Sequence, residues 1–295
     1  MSLYDYHVFD TVVRQGSFSK ASRVLHVTPS AISHIIAKLE DDFGFPLLSR
    51  NRNGINLTSD GKTILAAVNE LLLCEERLNQ EISDLNGFIS GTVRIASFSS
   101  VAQRWLPEIL SGFKNEFPQI NIRVLQGTYG EVSSWINSGA VDLAFVTGTF
   151  KGYDEIELIK LASEPLYCAV PSDYATASDD HIEVSELNGL PLIHSSSGGP
   201  DEIQHFIEEQ DLVSGYEYVL DNDNAKLALV EEGLGLCILP KMCIDAERFD
   251  IKALPIKPAS TRDIYLAVAH SRFLAPATDE MKKQILAYCD DLPSC

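Results

Sequence analysis

The sequence predicts an α+β multidomain chain: a small helical head bearing a β-hairpin, one long connecting helix, and a larger α/β body in two lobes. Three observations predict it. Apolar residues recur at helical spacing through three short segments before Gly44. A proline-free stretch from Thr58 to about Asn86 then carries a single apolar stripe. Beyond Gly87, short apolar runs alternate with amphipathic segments, the pattern of an α/β sheet protein. A length of 295 residues accommodates two or three such domains.

The head opens with Leu3, Tyr6, Phe9, Val12 and Val13 at helical spacing, ending near Gly16. Ser17 is positioned to cap a second helix through Leu25, with Phe18, Ala21 and Leu25 on its inner face. Thr28-Pro29 starts a third: the threonine hydroxyl accepts from otherwise unpaired N–H groups, and proline suits the first helical position. Ile32, Ile35, Ile36, Leu39 and Phe43 then form one apolar stripe. The opposite face presents Ser30, Ser33, His34, Ala37 and Lys38 rather than the Glu/Lys pairs of an ordinary solvated helix. Small and donor-bearing side chains suit a helix that enters a major groove. Helix, short turn and capped helix together read as a helix-turn-helix. Residues 46–58 follow as two extended arms flanking Asn53-Gly54, a hairpin-turn signal, with Arg50 and Arg52 alternating on one side within reach of phosphates. A hairpin in this place is a wing.

Charge sharpens this reading. The formal net charge is -19, which at first argues against nucleic acid. Residues 1–62 nevertheless hold seven basic and six acidic side chains, a net of +1, so the remainder carries -20. The head alone is compatible with double-stranded DNA, and its weak basicity calls for two copies binding an operator with paired half-sites. No apolar run approaches the length of a membrane span, and the N-terminus lacks a signal pattern, so a cytoplasmic location is expected. The six cysteines form no Cys-x-x-Cys pair, and neither metal nor cofactor is expected. Cys168 and Cys237 lie in apolar strand-like runs and should be buried thiols.

Phe9, Gly16-Ser17-Phe18-Ser19-Lys20-Ala21, Leu25, Thr28-Pro29-Ser30-Ala31-Ile32-Ser33, Lys38-Leu39-Glu40, Phe43-Gly44, Pro46-Leu47-Leu48, Arg50 and Leu57-Thr58-Ser59-Asp60-Gly61 together resemble the winged helix-turn-helix signature of LysR-type transcriptional regulators. Ser22 stands where the family usually has a second alanine, and Pro29 where glutamine is frequent. The resemblance implies DNA contacts from Ser19, Lys20, Thr28, Pro29, Ser30, Ser33, His34 and Lys38 of the helices, and from Arg50 and Arg52 of the wing. It implies domains at 1–58 (DNA-binding), 59–88 (dimerisation helix) and 89–295 (effector-binding). Lobe 1 would comprise about 89–162 and 267–295, and lobe 2 about 163–266.

In the connecting helix, Ile64, Val68, Leu71, Glu75, Leu78, Ile82 and Leu85 fall at alternating spacings of four and three, a heptad seam interrupted by Glu75. Such a stripe must pack on something. A second copy would double the DNA contacts, and packing within the subunit is the alternative. The family resemblance implies a homodimer or homotetramer.

In the body, strands are expected at 93–96, 120–125 and 141–146, with helices between them and a single helix running through Phe113. This βαβ series implies a mostly parallel sheet. Further strands near 164–170, 191–194, 216–220 and 236–239 make a second lobe, 261–270 a returning strand, and 277–290 a closing helix. The arrangement resembles the type II periplasmic-binding-protein-like effector domain of the same family. Ligands of open α/β sheets sit beyond the strand carboxyl ends. Those places hold Ser97, Ser99, Ser100, Thr128 and Thr147 in one lobe, and His194, Ser195, Ser196 and Ser197 in the other. Hydroxyls and N–H groups suit a small-molecule effector such as an organic acid or an amino acid.

For the C-terminal part alone a solute-binding protein is a rival, but it would need export and have no use for a wing. Two further rivals stand beside the ligand-responsive regulator. One is a ligand-independent architectural DNA binder. The other is an enzyme processing small molecules, against which the sequence offers no Gly-x-Ser-x-Gly elbow, no phosphate-binding Gly-x-x-x-x-Gly-Lys loop and no His-Glu-x-x-His.

Overall fold

A computed structural model of the chain describes residues 1–51, 54–85, 91–152, 156–178, 180–195, 202–213, 215–269 and 274–292. They fall into two compact units, Met1–Gly91 with Ser138–Ala140, and Thr92–Asn137 with Val141–Cys295.

The first unit holds helices α1 (Leu3–Gln15), α2 (Phe18–Leu25) and α3 (Pro29–Phe43), strands β1 (Leu48–Asn51) and β2 (Gly54–Leu57), and the long helix α4 (Ser59–Leu85). Each start is chemically marked. Ser2 and Asp5 form a reciprocal capping box on α1, Ser17 accepts from the Lys20 N–H, and Thr28 from the Ala31 N–H. Gly16 and Gly44 end α1 and α3 at φ 60° and 82°, a left-handed conformation that an L side chain adopts only with strain. Val8, Phe9, Val12, Ala21, Ile32, Ile36, Leu39 and Leu47 close one core.

The β1–β2 hairpin is antiparallel, with Leu48 opposite Leu57 and Asn51 opposite Gly54. Its base is tied to the helices at two points. The Glu40 carboxylate accepts from the backbone N–H of Leu47 and Leu48 at 2.8 and 3.1 Å. The Thr58 hydroxyl donates to the Pro46 carbonyl at 2.7 Å and accepts from the Gly61 N–H at 2.8 Å. This turn passes so close that a Cβ on Gly61 would lie 2.0 Å from the Leu47 carbonyl oxygen.

The second unit is built on an eight-stranded sheet among the described residues, in the order β4-β3-β5-β12-β6-β11-β7, with β10 also paired to β6. Its strands and helices in chain order are β3 (Gly91–Ser97), α5 (Ser99–Arg104), α6 (Leu106–Glu116), β4 (Ile120–Gln126), α7 (Tyr129–Asn137) and β5 (Leu143–Thr147). There follow β6 (Glu157–Pro171), β7 (Ile182–Glu183), β8 (Pro191–His194), α8 (Glu202–Glu209), β9 (Gly215–Val219), α9 (Asp223–Glu231), β10 (Cys237–Pro240), β11 (Ile251–Lys257), β12 (Thr261–Val268) and α10 (Pro276–Asp290). β6 serves both lobes. Its first half pairs with β12, which pairs in turn with β5, and its second half pairs with β10 and β11.

Three differences from the sequence reading have physical causes. The sheet is mixed rather than mostly parallel. The pairs β3–β5 and β7–β11 within it are parallel, as is the separate two-stranded sheet β8–β9. The strands that cross between lobes, however, run antiparallel to their neighbours β5, β10 and β11 and to each other. The helix expected through Phe113 breaks at Trp105 into α5 and α6, because Pro107 in the first turn of α6 has no N–H to continue α5. Strand β11 has no counterpart among the expected strands, since Pro255 interrupts its apolar run; here Pro255 sits opposite Tyr167 within the antiparallel pair.

Gly61→Ala is expected to destabilise the N-terminal unit by about 1–3 kcal/mol through overpacking against the Leu47 carbonyl. Urea denaturation followed by circular dichroism checks this; an unchanged midpoint would show that the turn can open without cost.

Candidate functional site

Two surfaces gather the residues singled out in the sequence, and each lies within one unit.

On α3, Ile32, Ile36 and Leu39 are buried, whereas Thr28, Pro29, Ser30, Ser33, His34, Ala37 and Lys38 are exposed. The polar stripe therefore faces outward. Thr28 keeps its hydroxyl within 3.0 Å of the Ser30 hydroxyl while capping α3. Lys38 leans toward Asp5 of α1, with 3.9 Å between charged atoms. Ser19 and Lys20 are exposed in the first turn of α2. Arg50 lies in β1 opposite Ile55, and Arg52 lies outside the described residues.

The heptad seam on α4 divides. Val68 is buried in the winged-helix core, so its packing is within the subunit, a correction to its assignment as a dimer contact; Ile64 is partly buried against the same core. Leu71, Leu78 and Ile82 remain 43%, 57% and 49% exposed. Leu85 is the last residue of α4. Glu75, the interruption in the seam, has a local reason: its carboxylate sits 2.7 Å from the His7 ring nitrogen of α1.

The second surface is a cleft of about 290 Å³ between the two lobes of the body. One wall carries Phe98, Ser99 and Ser100 at the start of α5, and Gln126, Thr128, Tyr129 and Glu131 between β4 and α7. The other carries Ser195, Ile203, Asp221, Asp223, Lys226 and Cys243. Of the hydroxyl residues expected here, Ser99, Ser100, Thr128 and Ser195 line the cleft.

Ser97 and Thr147 do not. Ser97 is fully buried in β3 and donates to the Phe98 carbonyl; Thr147 is buried in β5 with its hydroxyl 2.9 Å from that of Thr149. Both are buried at strand ends and meet their own chain there, which spacing alone does not reveal. His194, in β8, is not among the residues lining the cleft; it lines a separate small void of about 10 Å³ together with Ser195 and Lys226. Ser196 and Ser197 lie outside the described residues.

The charged groups of the cleft were absent from the sequence reading. Lys226 of α9 is only 3% exposed; its ammonium donates to the Ser195 hydroxyl at 2.6 Å and pairs with Asp223 at 3.0 Å. Beneath the opposite wall, Arg262 of β12 is 1% exposed and ion-paired with Glu164, its cross-strand neighbour on β6. The same guanidinium donates to the Ser100 hydroxyl at 3.1 Å and the Tyr129 hydroxyl at 2.8 Å, and lies 4.9 Å from the centre of the Phe98 ring. Burial works against the Arg262 charge, but it is more than offset, near neutrality by the Glu164 carboxylate paired with it, so Arg262 stays protonated. A parity signal could have found this pair. Arg262 alternates in phase with Ile264 and Leu266, and Glu164 with Leu166 and Cys168; a charge on a core-facing strand position requires a buried partner.

At Thr128, Glu131 accepts from both the backbone N–H, at 2.8 Å, and the hydroxyl, at 3.0 Å. The backbone bond, followed by the hydroxyl bond, holds the Glu131 carboxyl below the usual carboxylate range. The donors that suited an incoming carboxylate are thus taken by an internal one. Burial pushes the thiols of Cys243 and Cys237 up to about 12 and that of Cys168 well above its ordinary value, so all three stay protonated near neutrality.

With this geometry in place, comparison with known proteins decides the family. Residues 3–62 match the family described as "Bacterial regulatory helix-turn-helix protein, lysR family", and residues 86–290 match the "LysR substrate binding domain". The chain belongs to the LysR family. It is a LysR-type transcriptional regulator with an effector-binding domain.

Among its relatives, the uncharacterized HTH-type transcriptional regulator YvbU of Bacillus subtilis is 28% identical over 91% of this chain and 92% of that protein. Full-length OxyR of Pseudomonas aeruginosa, solved as a single-substitution variant, superposes with a TM-score of 0.78 at 18% identity, covering 99% of each chain. CbnR, solved in complex with its target DNA, gives a TM-score of 0.65 at 21% identity, covering 98% of this chain and 100% of that one. These two likenesses place the LysR chain in the same fold. No helix among the described residues is long and apolar enough to cross a membrane.

Arg262→Met in this LysR protein should cost about 3–5 kcal/mol, because Glu164 is left buried and unpaired, whereas Arg262→Met/Glu164→Met should recover most of the loss. Urea denaturation of the full chain measures both; equal losses in the single and double variants would contradict the ion-pair account.

Proposed function

We propose that this LysR regulator reads duplex DNA with the outward face of α3 and is switched by a small molecule held between the lobes of its body. The observation that carries the DNA assignment is the division of α3 into a buried Ile32, Ile36 and Leu39 stripe and an exposed Ser30, Ser33 and His34 stripe. Those side chains are short enough for the helix backbone to approach base edges, and the exposed Ser19, Lys20 and Lys38 would meet the phosphates that flank the groove. Arg50 and Arg52 would reach the backbone from the wing. The weak positive balance of the head makes one copy a poor binder, so the reading includes a homo-oligomer that spans paired half-sites. Leu71, Leu78 and Ile82 supply an apolar seam on α4 for that association. CbnR, of the same fold, has been solved with its target DNA, which supports the same role for this chain. The protein would work in the cytoplasm, where its DNA is, and the reading assigns it no catalytic step.

The cleft is assigned to the effector because it lies between lobes joined by crossing strands. A ligand there that touches both walls favours one lobe arrangement over another, which is what control by a ligand requires.

Ser33→Glu places a negative charge on the exposed face without disturbing the core. It should reduce retention of a randomised duplex pool by at least tenfold at fixed salt, measured by mobility shift, since like charges oppose phosphates. Retention equal to that of the unaltered protein would remove α3 from the DNA interface.

A further inference from the structure

The charges lining the cleft favour one class of effector. We infer that the effector carries a protonated amine, seated between Glu131 on one wall and Asp223 on the other; this rests on the assignment of the cleft as the effector site.

Among the described residues, the carboxylates of Glu131, Asp221 and Asp223 line the cavity beside one ammonium, Lys226. That ammonium gives two of its three donors to Ser195 and Asp223, and its charge is paired with the Asp223 carboxylate. The other buried cation at this place, Arg262, lies behind Ser100 and Tyr129 and is neutralised by Glu164. Thr128, a natural donor for an incoming carboxylate, already gives its N–H and its hydroxyl to Glu131. An anionic ligand would therefore meet described residues of net negative charge, with Lys226 already paired to Asp223 and the Thr128 donors already given to Glu131. The domain around it deepens the bias, since residues beyond 62 carry the whole excess of negative charge. A cleft lined by one sign concentrates ligands of the other.

The two carboxylates have capacity to spare. Glu131 receives both of its bonds on Oε2 and Asp223 its bond on Oδ1, so Glu131 Oε1 and Asp223 Oδ2 have no partner among the described residues. An ammonium is compact and offers three donors, enough to engage both oxygens at once. Because Glu131 belongs to the β4–α7 wall and Asp223 to the α9 wall, such a cation relieves repulsion between the walls and draws them together. The ligand then has a higher affinity for the closed arrangement, the differential a switch needs. Ser99, Ser100 and Gln126 on the same floor leave room for the hydroxyl or acceptor groups of the rest of the molecule.

The test uses three probes of equal chain length, butane-1,4-diamine, butane-1,4-diol and succinate, titrated into the full chain by calorimetry at constant ionic strength. The diamine is expected to bind most tightly and succinate least. Glu131→Gln keeps an oxygen for Thr128 but loses the charge; it should weaken the diamine by about fivefold, as for a partly exposed charge pair, and leave the diol unchanged. Ser99→Trp, which fills the cleft from a partly exposed position, should abolish diamine binding. Succinate binding more tightly than the diamine and lost in Ser99→Trp would keep the cleft as the effector site and discard the amine. Diamine binding that survives Ser99→Trp would discard both. No binding of the diamine, or diamine binding indifferent to Glu131→Gln, overturns the inference.

Discussion

Arg262 and Glu164 face each other on adjacent antiparallel strands, β12 and β6, where the chain crosses from one lobe of the body to the other. Both are buried, and burying a charge is tolerable only when it is paired and hydrogen-bonded. The pairing does more than satisfy that condition. Arg262 also bonds Ser100 and Tyr129, which open α5 and α7, while Glu164 bonds the backbone N–H of Met242 just after β10. One ion pair thus reaches from the crossing strands into both walls of the cleft. A guanidinium only donates, so the Ser100 and Tyr129 oxygens that meet it act as acceptors there, and the positions of both hydroxyls follow from the register of two strands.

The head obeys a different constraint. Its core is small, and its stability depends on helix ends and on a hairpin base stitched by Glu40, Thr58 and the close approach at Gly61. These contacts use up the inward faces of all three short helices and leave one polar stripe exposed. The first turns of α4 are drawn into the same core through Val68, so its apolar seam is open only from Leu71 onward. The division of α4 between core and seam ties the long helix to the orientation of the wing.

Charge is partitioned along the chain in a way that matches these two roles. The head is close to neutral and the body strongly acidic. The body therefore repels nucleic acid and leaves contact with phosphates to the head. The same acidity enters the cleft, where internal carboxylates cap Thr128 and neutralise Lys226. Protein–ligand electrostatics and protein–DNA electrostatics are in this way kept apart by position in sequence.

Local chemistry made the head readable from the chain alone. Ser17, Thr28-Pro29, Gly16 and Gly44 act on the residues beside them, and the periodicity of Ile32, Ile36 and Leu39 needs no distant partner to declare a buried face. The extent of α4 followed for the same reason. The body was legible as alternating strands and helices, but not β11, whose proline obscures it, nor the antiparallel crossing that joins the lobes. The cleft was legible only in part. Ser99, Ser100, Thr128 and Ser195 follow strand ends, whereas Ser97 and Thr147 turn out to be buried and Arg262, Glu164, Lys226 and Asp223 went unnoticed. Glu164 and Arg262 lie far apart in the chain, and nothing in their neighbourhoods names the other. Strand register alone brings them together, and register is a property of the folded sheet, set by packing across the whole body rather than by any short run of residues.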